Sequence, residues 1–159
     1  MRAAICPGSF DPITFGHLDI ITRTSKMFDK LYVAVLSNSA KKPSFTVDER
    51  MEMIRKCTSD ISNIEVCTFD GLLASFAKRN DIMTLVKGLR AVSDFEYEFQ
   101  MALANKKLNH EMETIFLPTS AEYMFLSSSI VKEIARNGGS IHEFVPAAVL
   151  SDIEKRLCR

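Results

Sequence analysis

The feature that most constrains this chain is an alternation. Five short apolar runs are each followed by a longer amphipathic stretch. The runs cover residues 2–6, 31–36, 64–68, 83–86 and 114–117 and are rich in Val, Ile, Leu and Thr, the composition of buried strands. Between them apolar residues recur at helical spacing. Leu18, Ile21, Ser25 and Phe28 share one predicted face, as do Met51, Ile54 and the aliphatic stem of Arg55. Leu72, Leu73, Phe76 and Ala77 mark a third helix, and Phe95, Phe99, Ala102 and Leu103 a long fourth one. Ser93 with Glu96 three residues on predicts a capping box at the start of that fourth helix. Pro7-Gly8 is expected to stop the first strand. Strand and helix in strict alternation predict an α/β architecture with a mostly parallel five-stranded sheet flanked by helices. A chain of 159 residues has room for one such domain, spanning 1–159.

Composition narrows the partners. Lys plus Arg and Asp plus Glu are 20 each, so the net charge is +0 and a broad electrostatic grip on nucleic acid or an anionic membrane is not expected. No apolar run approaches the roughly 20 residues of a membrane helix, and the first residues are too short for a signal-peptide core. The expectation is a soluble, cytoplasmic protein. Cys6, Cys57, Cys67 and Cys158 make no C-x-x-C pair and no zinc pattern, and read as reduced thiols.

In a parallel sheet ligands bind beyond the carboxyl ends of the strands, where strand order reverses. Four loops therefore merit inspection. The first, residues 7–17, carries Gly8, Ser9, Phe10, Gly16 and His17 and leads into a helix. His17 falls in or near the first helical turn, where free N–H groups and the dipole favour an anion, or else it simply caps the helix. The second loop holds Lys41-Lys42-Pro43, either a solvated turn or a flexible ammonium for a phosphoryl group. The third is Lys87-Gly88-Leu89-Arg90, two cations flanking a glycine after the fourth strand, with Glu98 on the following helix. The fourth leads through Tyr123, Met124, Phe125 and Leu126 into Ser127-Ser128-Ser129. Three serines before a helix exceed what capping needs and make an anion cradle; Tyr123 can cover an adenine or belong to the core. No Walker A or G-x-G-x-x-G pattern, no nucleophile motif, no carboxylate pair and no metal cluster is written in the sequence. Phosphate-binding groups without a covalent nucleophile point to phosphoryl or nucleotidyl transfer by positioning and charge neutralisation.

Two of these segments resemble signatures of the nucleotidylyltransferase superfamily. Thr14-Phe15-Gly16-His17 is similar to its T/H-x-G-H motif, and the run from Leu126 to Lys132 to its I-S-S-S/T-x-x-R/K motif. The stretch from Gly88 to Glu98, G-L-R-A-V-S-D-F-E-Y-E, with residues 7–12 and Lys41-Lys42-Pro43, narrows the resemblance to bacterial phosphopantetheine adenylyltransferases. That resemblance implies a Rossmann-like fold and AMP transfer from ATP to 4′-phosphopantetheine, giving dephospho-coenzyme A and pyrophosphate. It implies Mg²⁺ held mainly through ATP phosphates and water, a cytoplasmic homohexamer, coenzyme A as a feedback ligand, and no nucleic-acid or membrane partner. By position it makes His17 the transition-state stabiliser, aided by Lys41 and Arg90. ATP would meet Ser9, Phe10, His17, Gly88, Leu89, Arg90, Glu98, Tyr123, Met124, Phe125, Leu126, Ser127, Ser128 and Ser129. The acceptor would meet Ser9, Lys41, Leu73 and Lys87. Lys87 stands where the family usually has Arg, and Ser9 where Thr is common. A polyol-phosphate cytidylyltransferase and a non-catalytic nucleotide sensor are the alternative readings.

Overall fold

A computed structural model describes residues 2–37 and 42–158. Five parallel strands form one sheet: β1 (Ala3–Gly8), β2 (Lys30–Leu36), β3 (Ile64–Phe69), β4 (Thr84–Leu89) and β5 (Glu113–Pro118). Their order is β3-β2-β1-β4-β5. Among the described residues six α-helices surround them: α1 (Phe15–Ser25), α2 (Val47–Cys57), α3 (Leu73–Arg79), α4 (Val92–Leu108), α5 (Ser128–Arg136) and α6 (Ala147–Leu157). The predicted α/β architecture is the observed one, and the sheet is parallel throughout.

Side chains that alternate along the strands divide into two cores. Ala4, Cys6, Leu31, Val33 and Val35 face α1, α2, α5 and α6, whose Ile21, Ile54, Val131 and Ile153 are fully buried there. Ile5, Ala34 and Leu85 face the other way, toward Ala74 and Ala77 of α3. Both faces of the central strands are covered, which is why runs such as 31–36 are almost continuously apolar.

Several boundaries differ from expectation. β1 does not stop at Pro7-Gly8: these residues pair with Ala34 and Val35 of β2. What does stop is the pairing of β1 with β4, which covers only Ala4 with Thr84 and Ile5 with Leu85. The two central strands part beyond that point, and the strand order reverses between them. Lys87, Gly88 and Leu89 are not loop but strand, paired with Phe116, Leu117 and Pro118 of β5. The fourth helix begins at Val92 with Ala91 at its cap and no side-chain capping bond, so the predicted Ser93–Glu96 box does not mark its start. Among the described residues capping boxes form at Thr14 with His17 and at Thr46 with Glu49. Leu72 is the exposed cap residue of α3 rather than part of its face, and Phe28 lies beyond the end of α1.

The largest departure concerns α4. It lies against α3, β4 and β5, yet Phe95, Phe99 and Leu103, whose helical spacing marks it in the sequence, are 41%, 45% and 57% exposed. Val92, Tyr97, Met101 and Leu108 are exposed as well. Apolar side chains are thus spread around α4, between charged ones such as Asp94, Glu96 and Lys107, and many of them face outward.

Candidate active site

The parting of β1 and β4 opens a cleft of about 460 Å³ at the carboxyl ends of the strands. Its wall on the β1 side is Cys6 to Phe10, Thr14, Gly16 and His17. Its β4 side is Val86, Lys87, Gly88 and Arg90, with Asp94, Tyr97 and Glu98 from α4. Leu126, Ser127 at the cap of α5, and Ser128 and Ser129 at its start line it as well.

His17 is the third residue of α1 and closes a capping box. Its main-chain N–H donates to Thr14 Oγ1 at 3.4 Å, and its Nδ1 accepts the Thr14 N–H at 3.1 Å. An Nδ1 that accepts carries no proton, so the neutral ring carries its proton on Nε2. The ring stays neutral because burial, and then the nearby Arg90 and Lys87 cations, push its pKa from 6.5 to about 4. Phe10 holds the ring from the side, edge-on, with centroids 5.1 Å apart. His17 is thus a fixed, neutral, Nε2–H donor in a cleft containing two cations. The capping bond uses Nδ1, so the donor of the neutral ring is the opposite nitrogen, Nε2.

Phe10 itself has φ +47°, a conformation that costs a bulky residue about 1–3 kcal/mol. Its ring is 3% exposed, and burial of an aromatic side chain offsets such a cost. Gly8 lies directly under that ring: a Cβ there would stand 3.0 Å from Phe10 Cζ.

Both cations on the β4 side are tethered by carboxylates of α4. Lys87 Nζ lies 3.0 Å from Glu98 Oε1. Arg90 Nε and Nη2 donate to the two oxygens of Asp94 at 3.1 and 3.3 Å. Arg90 Nη1 also donates to the Leu126 carbonyl at 3.0 Å, linking β4 to the entry of α5. Gly88 is required between them, because a Cβ would lie 2.7 Å from Ile20 Cγ1 of α1.

The serines divide their work. Ser127 is the cap of α5 and accepts the Ile130 N–H at 3.2 Å. Ser128 donates to the Pro12 carbonyl at 2.7 Å, tying the two signature segments together. Ser129 lines the cleft.

Of the residues expected at the site, Ser9, Phe10, His17, Lys87, Gly88, Arg90, Glu98, Leu126, Ser127, Ser128 and Ser129 converge on this cleft. Leu89, Tyr123, Met124 and Phe125 are not among its lining residues. Tyr123 stacks on Phe15 at 5.9 Å, while Met124 and Phe125 are half-exposed. Leu73 begins α3 and packs against the core on the far face of the sheet. Lys41 lies outside the described residues. Asp94, Tyr97 and Thr119 join the lining without having been singled out.

Two supporting residues escaped the sequence reading. Asp11, 6% exposed, accepts the N–H groups of Ser44 and Phe45 at 2.9–3.1 Å and the Lys132 ammonium at 3.0 Å. Burial alone would push its carboxyl up, but these donors outweigh burial and hold it below the usual carboxylate range. Arg50, 3% exposed, donates to the carbonyls of Ser9, Leu36 and Thr46. The sequence signal for Asp11 was its place in the Phe-Asp-Pro turn, and for Lys132 the last position of the second motif. Arg50 had none.

A parallel sheet, a cleft at its reversal point, two cations and a serine-capped helix N-terminus define a phosphate-handling α/β enzyme of the nucleotidyltransferase type. Comparison with known proteins agrees. The model of the cytidylyltransferase-like family matches residues 5–134. A phosphopantetheine adenylyltransferase of Caldanaerobacter subterraneus subsp. tengcongensis is 61% identical over 94% of this chain and 93% of its own. One of Clostridium botulinum is 55% identical over 98% of both chains. The crystal structure of a nicotinate-nucleotide adenylyltransferase candidate from Vibrio parahaemolyticus shares the fold, with a TM-score of 0.72, 16% identity and coverage of 96% of this chain and 99% of that one. The chain belongs to the cytidylyltransferase-like family and, within it, to the phosphopantetheine adenylyltransferases, a family of nucleotidyltransferases.

Proposed function

We propose that this protein transfers AMP from ATP to 4′-phosphopantetheine, releasing pyrophosphate and dephospho-coenzyme A, a step of coenzyme A synthesis. The observation that carries the reading is the convergence of His17, Lys87 and Arg90 on one cleft that offers hydrogen-bond donors and cations. The reaction such a site supports is direct in-line displacement. An oxygen of the acceptor's phosphate attacks the α-phosphorus, the bond to the β-phosphate's bridging oxygen breaks, and pyrophosphate leaves. A phosphate monoester is already anionic at neutral pH, so no general base is needed. His17 Nε2–H donates to an α-phosphoryl oxygen, most strongly as the phosphorus becomes five-coordinate. Arg90 and Lys41 neutralise phosphoryl charge, and Ser9 and Lys87 hold the acceptor phosphate. Gly88, Glu98 and the serines of α5 hold ATP.

Mg²⁺ would be held mainly through ATP phosphate oxygens and water, and would supply further neutralisation of phosphoryl charge. In support, the cleft carboxylates Asp94 and Glu98 are already engaged by Arg90 and Lys87. The exposed apolar side chains of α4 support assembly of copies, read here as the homohexamer. Coenzyme A would return to the same cleft as product-like ligand. No helix among the described residues is long and apolar enough to cross a membrane, and the cytoplasm is the proposed compartment. Pyrophosphate release with ATP and 4′-phosphopantetheine tests the activity. CTP in place of ATP is the decisive control, and preference for CTP would return the protein to the cytidylyl-transferring branch.

A further inference from the structure

Arg50 sits on α2, outside the cleft, and contributes no atom to its lining. Its guanidinium is nonetheless spent on the backbone that frames the cleft. Nη1 donates to the Ser9 carbonyl at 2.7 Å and to the Leu36 carbonyl at 3.1 Å, and Nε to the Thr46 carbonyl at 3.3 Å. Ser9 follows β1, Leu36 ends β2, and Thr46 caps α2. A buried cation on three carbonyls is a fixed clamp, because a planar fork cannot follow one carbonyl without leaving another.

The shortest of the three bonds matters most. The Ser9 carbonyl belongs to the peptide unit that also carries the Phe10 N–H. In a planar trans peptide the C=O and N–H point in opposite directions. A carbonyl drawn toward Arg50 therefore turns the Phe10 N–H away from Arg50, and both Ser9 and Phe10 line the cleft. Phe10 has φ +47°, which a chain free to choose would rarely adopt at this residue type. The peptide is thus held from both ends, by the Arg50 bond on its carbonyl and by the buried Phe10 ring against His17.

We infer that Arg50 is a positioning residue of this site, which turns the Ser9–Phe10 peptide so that its N–H faces the cleft as a donor to a phosphoryl group. The inference rests on the reading of the cleft as a nucleotide site. It adds a residue that touches no substrate and acts through another residue's backbone.

Arg50→Met and Arg50→Lys test it. Methionine fills similar space without a donor, and lysine keeps the charge but cannot serve three carbonyls. Two readouts are taken. In the first, the Phe10 amide resonance of the full-length protein is followed by NMR during titration with ATP and, separately, with inorganic pyrophosphate. The parent's resonance moves strongly; in both variants the movement is lost and binding weakens about tenfold. In the second, kcat and both KM values are measured with 4′-phosphopantetheine. Misplacing a donor by about 1 Å costs about a hundredfold. That loss is expected in kcat/KM for ATP, with guanidinium ion restoring part of it in Arg50→Ala. If Arg50→Met fails to fold, Arg50→Lys carries the test. A Phe10 amide indifferent to both anions in the parent overturns the inference, and so does a folded variant with parental amide shifts. A parent whose amide responds but which turns over no substrate leaves Arg50 in place and refutes the proposed function instead.

Discussion

The Nδ1 of His17 accepts the backbone N–H of Thr14 at 3.1 Å, and this one bond decides which nitrogen the cleft sees. It also lets cap and catalysis be separated. At the third helical position glutamine can complete a capping box, and alanine cannot. His17→Ala is expected to lose about 1 kcal/mol of stability. Both His17→Ala and His17→Gln are expected to lose about 10²-fold or more in kcat, with ATP affinity by calorimetry little changed. Near-normal turnover of a folded His17→Gln would leave His17 as a cap and nothing more.

The depressed pKa of His17 has a signature in acid. Above pH 6.5 the ring is neutral in folded and unfolded chains alike, and its contribution to stability is complete. Between pH 6.5 and about 4 only the unfolded chain takes up the proton, so stability falls with pH, by at most about 3 kcal/mol. Denaturant unfolding at pH 7 and pH 4.5 should show a larger loss for the parent than for His17→Gln. By NMR the imidazole should remain the Nε2–H tautomer from pH 8 to pH 5; a midpoint near 6.5 contradicts the burial argument.

Lys87 and Glu98 share a 3.0 Å ion pair inside the cleft, although the proposed roles assign them to different substrates. Removing the lysine strips the acceptor of a cation and also leaves a carboxylate facing ATP. Lys87→Ala should raise the acceptor KM about 10–100-fold and the ATP KM by less, whereas Lys87→Arg should leave the acceptor KM equal or lower. An unchanged acceptor KM in Lys87→Ala rules out its place at the acceptor phosphate.

Asp11 joins the loop before the first signature to the second signature through Lys132, and to the segment before α2 through two N–H groups. Asp11→Ala leaves a part-buried ammonium and two N–H groups without their acceptor, and should cost about 3 kcal/mol in urea unfolding. The depressed carboxyl pKa contributes stability at neutral pH that is lost as pH falls through its folded value, so the deficit of the variant should shrink in acid. A deficit that is the same at pH 7 and pH 3 speaks against this pairing.

Gly88→Ala tests how closely α1 must approach β4. The new methyl group meets Ile20, which is 4% exposed and has nowhere to go. A cost of roughly 1–3 kcal/mol is expected in thermal or denaturant unfolding. Trimming the neighbour with Ile20→Val should recover part of it; no recovery means the clash lies elsewhere.

The alternation of strand and helix is legible in the sequence, because burial on both faces of a parallel sheet leaves near-continuous apolar runs that pattern alone reveals. Most of the segments that the cleft gathers were legible too, since glycines and serines at strand–helix junctions and the resemblance they carry are local features. Strand order was not legible, and strand order makes the site. Only the placing of β4 beside β1, and their parting after Ile5, brings Lys87 and Arg90 opposite His17. The bonds that fix the geometry join residues far apart in the chain. Arg90 reaches Leu126 across 36 positions, Arg50 reaches Ser9 across 41, and Lys132 reaches Asp11 across 121. No local pattern encodes such pairs. For α4 the reason is different. Apolar residues on every side of a helix carry no direction, so only packing could show that Phe95, Phe99 and Leu103 lie outside this chain's own core.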